Sequence, residues 1–209
     1  MAAMSADSIE FWFEFASTYS YPAAMRVESV AQQYGHTVRW KPFLLGPIFQ
    51  AQGWGDSPFN IYPIQGRYMW RDLERICAEL DLPLIRPSTF PRNGLLAARV
   101  ACVGHDAVWL PAFVRQVFTA NFVHDRDISQ PDVVLDCLNA LVPDPQRILD
   151  AANRADAKAQ LRANTEQAIH SGLFGAPSFL VEQELFWGND RMEQAMRWRG
   201  RPTGTDSAG

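Results

Sequence analysis

Hydrophobic and acidic residues alternate near the start of the chain in a way that is typical of a β-strand. Residues 9–15 include four aromatic side chains, and this bulk favours a strand with one well-buried face. Apolar positions in residues 23–34 then recur at helical spacing, and Gly35 is placed to end that helix. A second strand is predicted within residues 37–44. Because the two strands are joined by one helix, we expect them to be parallel.

The middle of the chain has the periodicity of helices rather than strands. Residues 46–66 are rich in Gly, Pro, Asn and Gln. Beyond them we predict helices over residues 69–80, 95–103 and 109–120, a fourth that starts at a capping box at residues 129–132, and a fifth that Asp156 caps and that runs to residue 169. Strand patterns return at residues 178–181 and 185–187, which predicts a hairpin before a last helix over residues 190–198.

This order of elements limits the topology. A parallel pair followed much later by a hairpin, with helices available for both faces, is the layout of a thioredoxin-like sheet that a helical domain interrupts. We therefore predict an α/β protein with a thioredoxin-like fold and a large all-helical domain inserted after the second strand. The thioredoxin-like part comprises residues 8–45 and 156–200, the helical insert comprises residues 46–155, and residues 201–209 form a disordered tail.

Composition and charge exclude several classes of protein. The 209 residues carry 19 basic and 23 acidic side chains, for a net charge of −4, and show no basic cluster that would bind nucleic acid. No run approaches the roughly 18 consecutive apolar residues of a membrane span. The N-terminus lacks the pattern of a secretion signal, so we expect a cytoplasmic protein. The three cysteines and four histidines are scattered along the sequence, which predicts neither a disulfide framework nor a metal site.

Two segments are candidates for a functional site. The first is the junction of the first strand and the first helix, because free backbone N–H groups and the helix dipole would favour an anion near Ser17. The alternative is that Ser17 or Thr18 only caps the helix. The second segment is the turn before the third strand. There, a cis Ala176–Pro177 bond would expose the backbone N–H and C=O of Ala176 beside Ser17.

Three sequence motifs occur in a recognisable order. They are Phe-Glu-Phe-Ala-Ser-Thr-Tyr-Ser-Tyr at residues 13–21, Gly-Leu-Phe-Gly-Ala-Pro-Ser-Phe at residues 172–179, and Leu-Phe-Trp-Gly-Asn-Asp-Arg-Met at residues 185–192. Together with residues 44–49 and 66–72, they resemble the 2-hydroxychromene-2-carboxylate isomerase family over about residues 8–200. That family is similar to the kappa-class glutathione transferases and belongs to the DsbA-like thioredoxin superfamily.

The resemblance implies glutathione as the cofactor and Ser17 as the catalytic residue. Redox members of the superfamily carry Cys-x-x-Cys where this chain has Ser17 and Ser20. A hydroxyl cannot replace the attacking thiolate, so dithiol oxidoreductase activity is excluded and the site would use the thiol of glutathione. The Ser17 hydroxyl and the N-terminus of the first helix would stabilise the thiolate, by about 1.36 kcal/mol for each unit by which the thiol pKa falls.

The same resemblance assigns the residues that would bind glutathione. The backbone of Ala176, ahead of a cis Pro177, would pair with the cysteinyl part as an added strand pairs with a sheet edge. Asn189 and Asp190 would hold the γ-glutamyl end, where the Asp190 carboxylate offsets the ammonium group. Asp190 is about equally suited to be the N-cap of the last helix, and the two roles are compatible.

Three residues of the predicted insert complete the implied site. Asp56 and Gln65 fall where the kappa class uses Asn and Lys to contact glutathione, and Gln65 departs from that pattern because an amide replaces a cation. Asn93 would orient the substrate carbonyl, or would simply cap a helix. Aromatic side chains of the same region would line the acceptor pocket or belong to the core; they are Trp54, Phe59, Tyr62, Tyr68 and Trp70.

The implied reaction opens an aromatic hemiketal to its trans-o-hydroxybenzylidenepyruvate. Glutathione thiolate would add to the conjugated carbon, allow rotation and leave again, so glutathione is not consumed. The partner is then a small aromatic or conjugated substrate, and the family forms homodimers. Two alternatives stay open. One is a kappa-like glutathione transferase or peroxidase, and the other is a glutathione-binding protein with little turnover, which the Gln65 departure keeps open.

Overall fold

The strands form one mixed sheet of four. In the computed structural model, which describes residues 8–198, they are β1 (Ser8–Phe13), β2 (Thr37–Pro42), β3 (Ser178–Val181) and β4 (Glu184–Trp187), in the order β2-β1-β3-β4. β1 runs parallel to β2, and β3 runs antiparallel to both β1 and β4. The predicted parallel pair and the predicted hairpin are both confirmed.

Helices make up most of the remaining described chain. They are α1 (Ser20–Gln33), α2 (Leu45–Ala51), α3 (Pro58–Ile61), α4 (Pro63–Glu79), α5 (Leu95–Val103), α6 (Leu110–Phe122), α7 (Pro131–Leu138), α8 (Pro145–Ala152), α9 (Ala155–His170), a 3-10 turn (Asn189–Arg191) and α10 (Met192–Trp198). Helices α2 to α8 all lie between β2 and α9 in the chain, so the helical insertion after the second strand is confirmed. Its bounds at residues 46–155 stay a prediction.

β1 is buried on both faces. Phe11 and Phe13 are fully buried in the main core, where Phe13 packs at 6.3 Å, centroid to centroid, on Phe118 of α6. Trp12 points to the other face and packs in a second cluster with Ile48 of α2 and Ala168 of α9. The sequence predicted one buried face. The second is buried because β1 lies inside the sheet and helices cover it from both sides.

Two predicted helix starts are wrong. The capping box at residues 129–132 does not form: α7 begins at Pro131, and the preceding Gln130 is extended and makes no side-chain cap. The fixed φ of the proline is itself suited to the first helical position. Helix α9 begins after Arg154, so Asp156 lies within the first turn instead of capping it. Its charge there still interacts favourably with the helix dipole.

Three short helices were missed because their prolines and glycines look like loop residues. These are α2, α3 and α8. Helices α3 and α8 begin at Pro58 and Pro145, where a missing N–H costs nothing. Each is also capped by the side chain before its proline, Ser57 for α3 and Asp144 for α8.

Residues 8–198 contain no helix that is long and apolar enough to cross a membrane. The same part of the chain holds no group of three or more His, Cys, Asp or Glu side chains that could bind a metal ion. The predicted disordered tail, residues 201–209, lies outside the described residues.

Candidate active site

Ser17 joins the two candidate segments. It lies in the loop between β1 and α1, and its hydroxyl donates a hydrogen bond to the backbone carbonyl of Ala176 over 2.8 Å. The same oxygen accepts a weaker hydrogen bond, of 3.3 Å, from the backbone N–H of Ser20 at the first residue of α1. Ser17 therefore supports the start of the helix and also contacts the distant turn, so the capping alternative and the site hypothesis are compatible.

The turn before β3 has the expected cis Ala176–Pro177 peptide bond. Two hydrogen bonds hold it in place. The carbonyl of Pro177 accepts one from the backbone N–H of Gly188 at 3.0 Å, and the Ser178 hydroxyl donates one to the carbonyl of Gly175 at 2.9 Å. The backbone of Ala176 is thereby fixed beside Ser17.

A cavity of about 840 Å³ opens over this pair. Its wall comes from the loop after β1, from residues 44–59 with Gln65, from residues 90–95, and from residues 174–176 with Trp187. The volume lies in the range of small-molecule sites, which is roughly 300–1,000 Å³. Five of the sequence-predicted residues line it together: Ser17, Asp56, Gln65, Asn93 and Ala176.

The other three residues assigned to glutathione binding, Pro177, Asn189 and Asp190, are not on the cavity wall. Asn189 is buried, and its side-chain oxygen accepts a hydrogen bond of 3.1 Å from Nε of Arg26. The side chain of Asp190 is 70% exposed and forms an ion pair of 3.3 Å with Arg191. Asp190 is also not the N-cap of the last helix, because it lies inside a 3-10 turn that Gly188 precedes. The sequence pattern could not distinguish such a turn from the helix that follows it.

The three insert residues differ in how firmly the protein holds them. Both carboxylate oxygens of Asp56 accept hydrogen bonds, at 2.6 Å from the Ser57 N–H and at 3.0 Å from the Asn60 amide. The Asn93 side-chain oxygen accepts a hydrogen bond of 2.9 Å from the N–H of Leu95, the first residue of α5. The N-cap of α5 is Gly94, so Asn93 supports the first turn from the position before the cap instead of being the N-cap. Gln65 lies near the start of α4 and is exposed.

The aromatic residues of the insert divide between cavity, core and surface. Trp54 and Phe59 line the cavity, Trp70 is buried in the main core, and Tyr62 and Tyr68 are exposed. The rim carries a further aromatic pair that the sequence analysis did not single out. Phe174 and Trp187 both line the cavity, with ring centroids 4.9 Å apart.

Glu14 is a functional candidate that the sequence analysis missed. It follows β1 directly, lines the cavity and is partly buried. Burial raises the pKa of its carboxyl from 4.5 to about 7, against the opposing effect of the N–H groups of Ala16 and Ser17. The sequence did contain an indication of this role. Glu14 stands between two phenylalanines and three positions before Ser17, and an acidic residue is unusual in such an apolar segment.

The sequence analysis also missed Arg92, whose hydrogen bonds stabilise the cavity wall. Only 6% of it is exposed, and its guanidinium donates to the Asn121 side-chain oxygen at 3.1 Å and to the carboxylate of Asp125. A backbone hydrogen bond from Ser88 and the Arg92 guanidinium together lower the pKa of Asp125. Asn121 in turn donates to the carbonyl of Phe15 at 3.3 Å, which connects this network to the loop that carries Ser17.

Comparisons with known proteins agree with this architecture. The chain is 27% identical to a 2-hydroxychromene-2-carboxylate isomerase of Sphingobium xenophagum, over 89% of this chain and 94% of the relative. It is 23% identical to glutathione S-transferase kappa 1 of Homo sapiens, over 89% and 88% of the two chains. A solved 2-hydroxychromene-2-carboxylate isomerase superposes with a TM-score of 0.79 at 26% identity, over 91% of this chain and 94% of that one. Residues 8–197 match the DSBA-like thioredoxin domain, so the thioredoxin-like fold is confirmed and the chain belongs to that family.

Proposed function

We propose that this protein is a glutathione-dependent isomerase of the 2-hydroxychromene-2-carboxylate type. The observation that carries the proposal is the Ser17 hydroxyl, which bonds to the carbonyl of Ala176 over 2.8 Å beside a cavity of about 840 Å³. The similarity to isomerases of that name over most of both chains supports the reaction class.

The protein's own thiols are unsuited to the chemistry, which fits a thiol brought by glutathione. Cys77, Cys102 and Cys137 are buried, and burial raises the pKa of their thiols to about 11, 12 and 11. None of them lines the cavity. When bound, glutathione would supply the thiolate that adds to the conjugated carbon of the substrate and later leaves.

The contacts of Ser17 suggest how glutathione could be activated. The carbonyl of Ala176 accepts a hydrogen bond from the Ser17 hydroxyl. A peptide N–H that pairs with this carbonyl, as an added strand does, would replace that donor and release the Ser17 hydroxyl. The hydroxyl can then donate to sulfur, where it acts with the positive end of the α1 dipole to favour the charged form.

The other predicted contacts are part of the same proposal. Burial and the hydrogen bond to Asp72 raise the pKa of the Tyr19 phenol most, and the Asp190 charge adds to them. This contribution supports a position of the Asp190 carboxylate near the Ser17 loop, where it would offset the γ-glutamyl ammonium. Asn189 would contact the same end of glutathione, and Arg26 fixes its position through both its side-chain oxygen and its backbone carbonyl. Asp56 and Gln65 would contact the rest of the tripeptide.

Asn93 would orient the substrate carbonyl, because it reaches the same cavity from the turn before α5. By the family resemblance we also propose a homodimer in the cytoplasm, with residues 46–155 as a helical unit distinct from the thioredoxin-like part.

A kappa-like transferase is the second candidate. The human kappa-class relative favours it, since it matches 89% of this chain. Incubation with glutathione and either the hydroxychromene carboxylate or an aromatic halide separates the two functions. Isomerisation with glutathione unconsumed supports the first, conjugate formation supports the second, and binding without turnover of either substrate identifies a glutathione-binding protein.

Replacement of Ser17 tests the proposed role directly. We expect Ser17→Ala to reduce the isomerisation rate by about 10²-fold, because a single hydrogen bond to developing or existing negative charge is lost. Glutathione affinity should change much less. Ser29→Ala is the matched control, because it removes an exposed hydroxyl from α1, away from the cavity. An unchanged rate for Ser17→Ala would overturn the assignment.

A further inference from the structure

Glu14 is placed to meet a ligand in the cavity. It follows β1, and its neighbours Phe13 and Phe15 are fully buried. One carboxyl oxygen, Oε2, accepts a hydrogen bond of 3.1 Å from the N–H of Ala16. Within residues 8–198, no Lys, Arg or His side chain forms an ion pair with Glu14. The carboxyl therefore lines a largely apolar cavity and is not paired with a cation; Arg92, on the same wall, pairs with Asp125 instead.

The turn before α5 packs closely against Glu14 at Gly94. A Cβ atom on Gly94 would lie 2.8 Å from Cβ of Phe15, which is too short for two carbon atoms, and 3.6 Å from Oε1 of Glu14. Only glycine lets the turn before α5 pack this tightly. As a result the turn that carries Asn93 and the carboxyl of Glu14 form adjacent parts of one wall.

Glu14 keeps its proton up to about neutral pH, above the range of an ordinary glutamate, for a physical reason. Burial disfavours its charged form and raises its pKa to about 7. The other ionisable side chains on the cavity wall are already engaged: Tyr19 with Asp72 at 3.0 Å, Asp56 with Ser57 and Asn60, and Arg92 with Asn121 and Asp125. A substrate that carries its own carboxylate would favour the neutral form of Glu14 further.

We propose that Glu14, in its protonated form, is the acid that donates its proton to the ketone oxygen of the substrate. This inference rests on the isomerase function proposed above. Opening of the hemiketal breaks its ring C–O bond, leaves the ketone, and moves the hydroxyl proton to the phenol oxygen. As the carbon–sulfur bond then forms, the π electrons of the conjugated C=C bond move to the ketone oxygen, and the Glu14 proton neutralises the charge there. When the sulfur leaves, the electron pair returns to the C=C bond and the proton returns to Glu14. No oxidant, reductant or external proton is needed.

Glu14 is an acid on the cavity wall that can give up a proton for this task. The Thr18 hydroxyl and the Asn93 amide also line the cavity, but near neutral pH they can only donate hydrogen bonds. The Ser17 hydroxyl serves the sulfur in the proposed mechanism, and the Tyr19 hydroxyl donates to Asp72. A carboxylic acid kept neutral by an apolar site can donate a strong hydrogen bond to a developing oxyanion. The position three residues before Ser17 also places the acid and the thiolate stabiliser on one loop.

Binding of trans-benzylidenepyruvate in the absence of glutathione tests the donor without any turnover. This ligand keeps the ketone and the carboxylate but lacks the phenol, so it does not titrate near neutral pH itself. We expect its affinity for the wild-type protein to fall about tenfold as the pH rises through about 7, because ionised Glu14 can no longer donate. In Glu14→Gln the amide N–H donates at every pH, so the affinity should be independent of pH. Infrared titration should show a carboxyl band that Glu14→Gln removes.

Turnover gives the second readout. We expect Glu14→Gln to lower kcat by about 10²-fold and to abolish the fall in kcat at high pH, because the amide cannot give up its proton. The ultraviolet absorbance of bound thiolate should not change. Glu79→Gln, which removes an exposed carboxylate of α4, is the matched control.

The outcomes separate the two proposals. A wild-type protein that does not isomerise overturns the proposed function, whatever Glu14 does. A wild-type protein that isomerises, together with a Glu14→Gln variant that keeps the wild-type pH dependence of both binding and kcat, overturns the role of Glu14 alone. Loss of both pH dependences, with the thiolate signal intact, supports it.

Discussion

The partly buried carboxyl of Glu14 should make the free energy of unfolding fall as the pH rises. A surface carboxylate that is paired with a cation has the opposite effect. Its pKa is about 7 in the folded protein against 4.5 for an ordinary glutamate. Below pH 4.5 the Glu14 carboxyl is protonated in both the folded and the unfolded protein, so it does not change the free energy of unfolding. Between these values the unfolded chain releases the proton and the folded chain keeps it, so the free energy of unfolding falls as the pH rises. Above about pH 7 the loss is complete.

The size of the effect follows from the two pKa values. At about 1.36 kcal/mol for each pKa unit, the displacement from 4.5 to about 7 corresponds to about 3 kcal/mol. Glu14→Gln removes the titration but keeps an oxygen that can accept the N–H of Ala16. We therefore expect the variant to be more stable than the wild type by about 3 kcal/mol near pH 8, which is about 6–12 °C in Tm for a chain of this length. Near pH 4 the two proteins should be equally stable.

Urea unfolding followed by tryptophan fluorescence measures this difference. Both proteins contain the same other titrating groups, so the difference between their unfolding free energies isolates Glu14. Glu79→Gln serves again as the control, since it removes a carboxylate from an exposed position of α4. A difference that does not change between about pH 4 and pH 8, or a wild type that is the more stable protein at the higher pH, would refute the reasoning.

Two further substitutions test the cavity wall. Gly175→Ala would place a Cβ against Nε1 of Trp187, so we expect the indole to leave the rim and glutathione affinity to fall about tenfold, measured by calorimetry and by tryptophan fluorescence. Unchanged affinity and an unchanged spectrum would contradict this. Tyr19→Phe removes the hydrogen bond of 3.0 Å to Asp72, at a cost of about 1 kcal/mol because the pair is only partly buried. A double-mutant cycle with Asp72→Asn checks this coupling, and strictly additive effects would show that it is absent.

Local patterns along the chain were enough to predict the main elements. The alternation and aromatic bulk of residues 9–15 predicted β1, and helix α5 was predicted with its observed bounds, Leu95–Val103. Residues two apart in a strand, and three or four apart in a helix, share one face, so packing imposes a spacing that the sequence carries. The pattern failed at α2 and α3, because helices of seven and four residues are too short to show a period. It also failed at α7, where Pro131 sets the start instead of a capping box.

The sequence by itself determined the types of group that this protein can use. Serines stand where redox relatives have cysteines, and a proline stands in the turn before β3. Only the tertiary structure decided which groups meet: the hydrogen bond from Ser17 to Ala176 spans 159 positions in the chain, and it forms because β3 pairs beside β1. Only the tertiary structure gave Glu14 its displaced pKa, because the energy of a charge depends on the atoms that surround it in space and not on its neighbours in sequence.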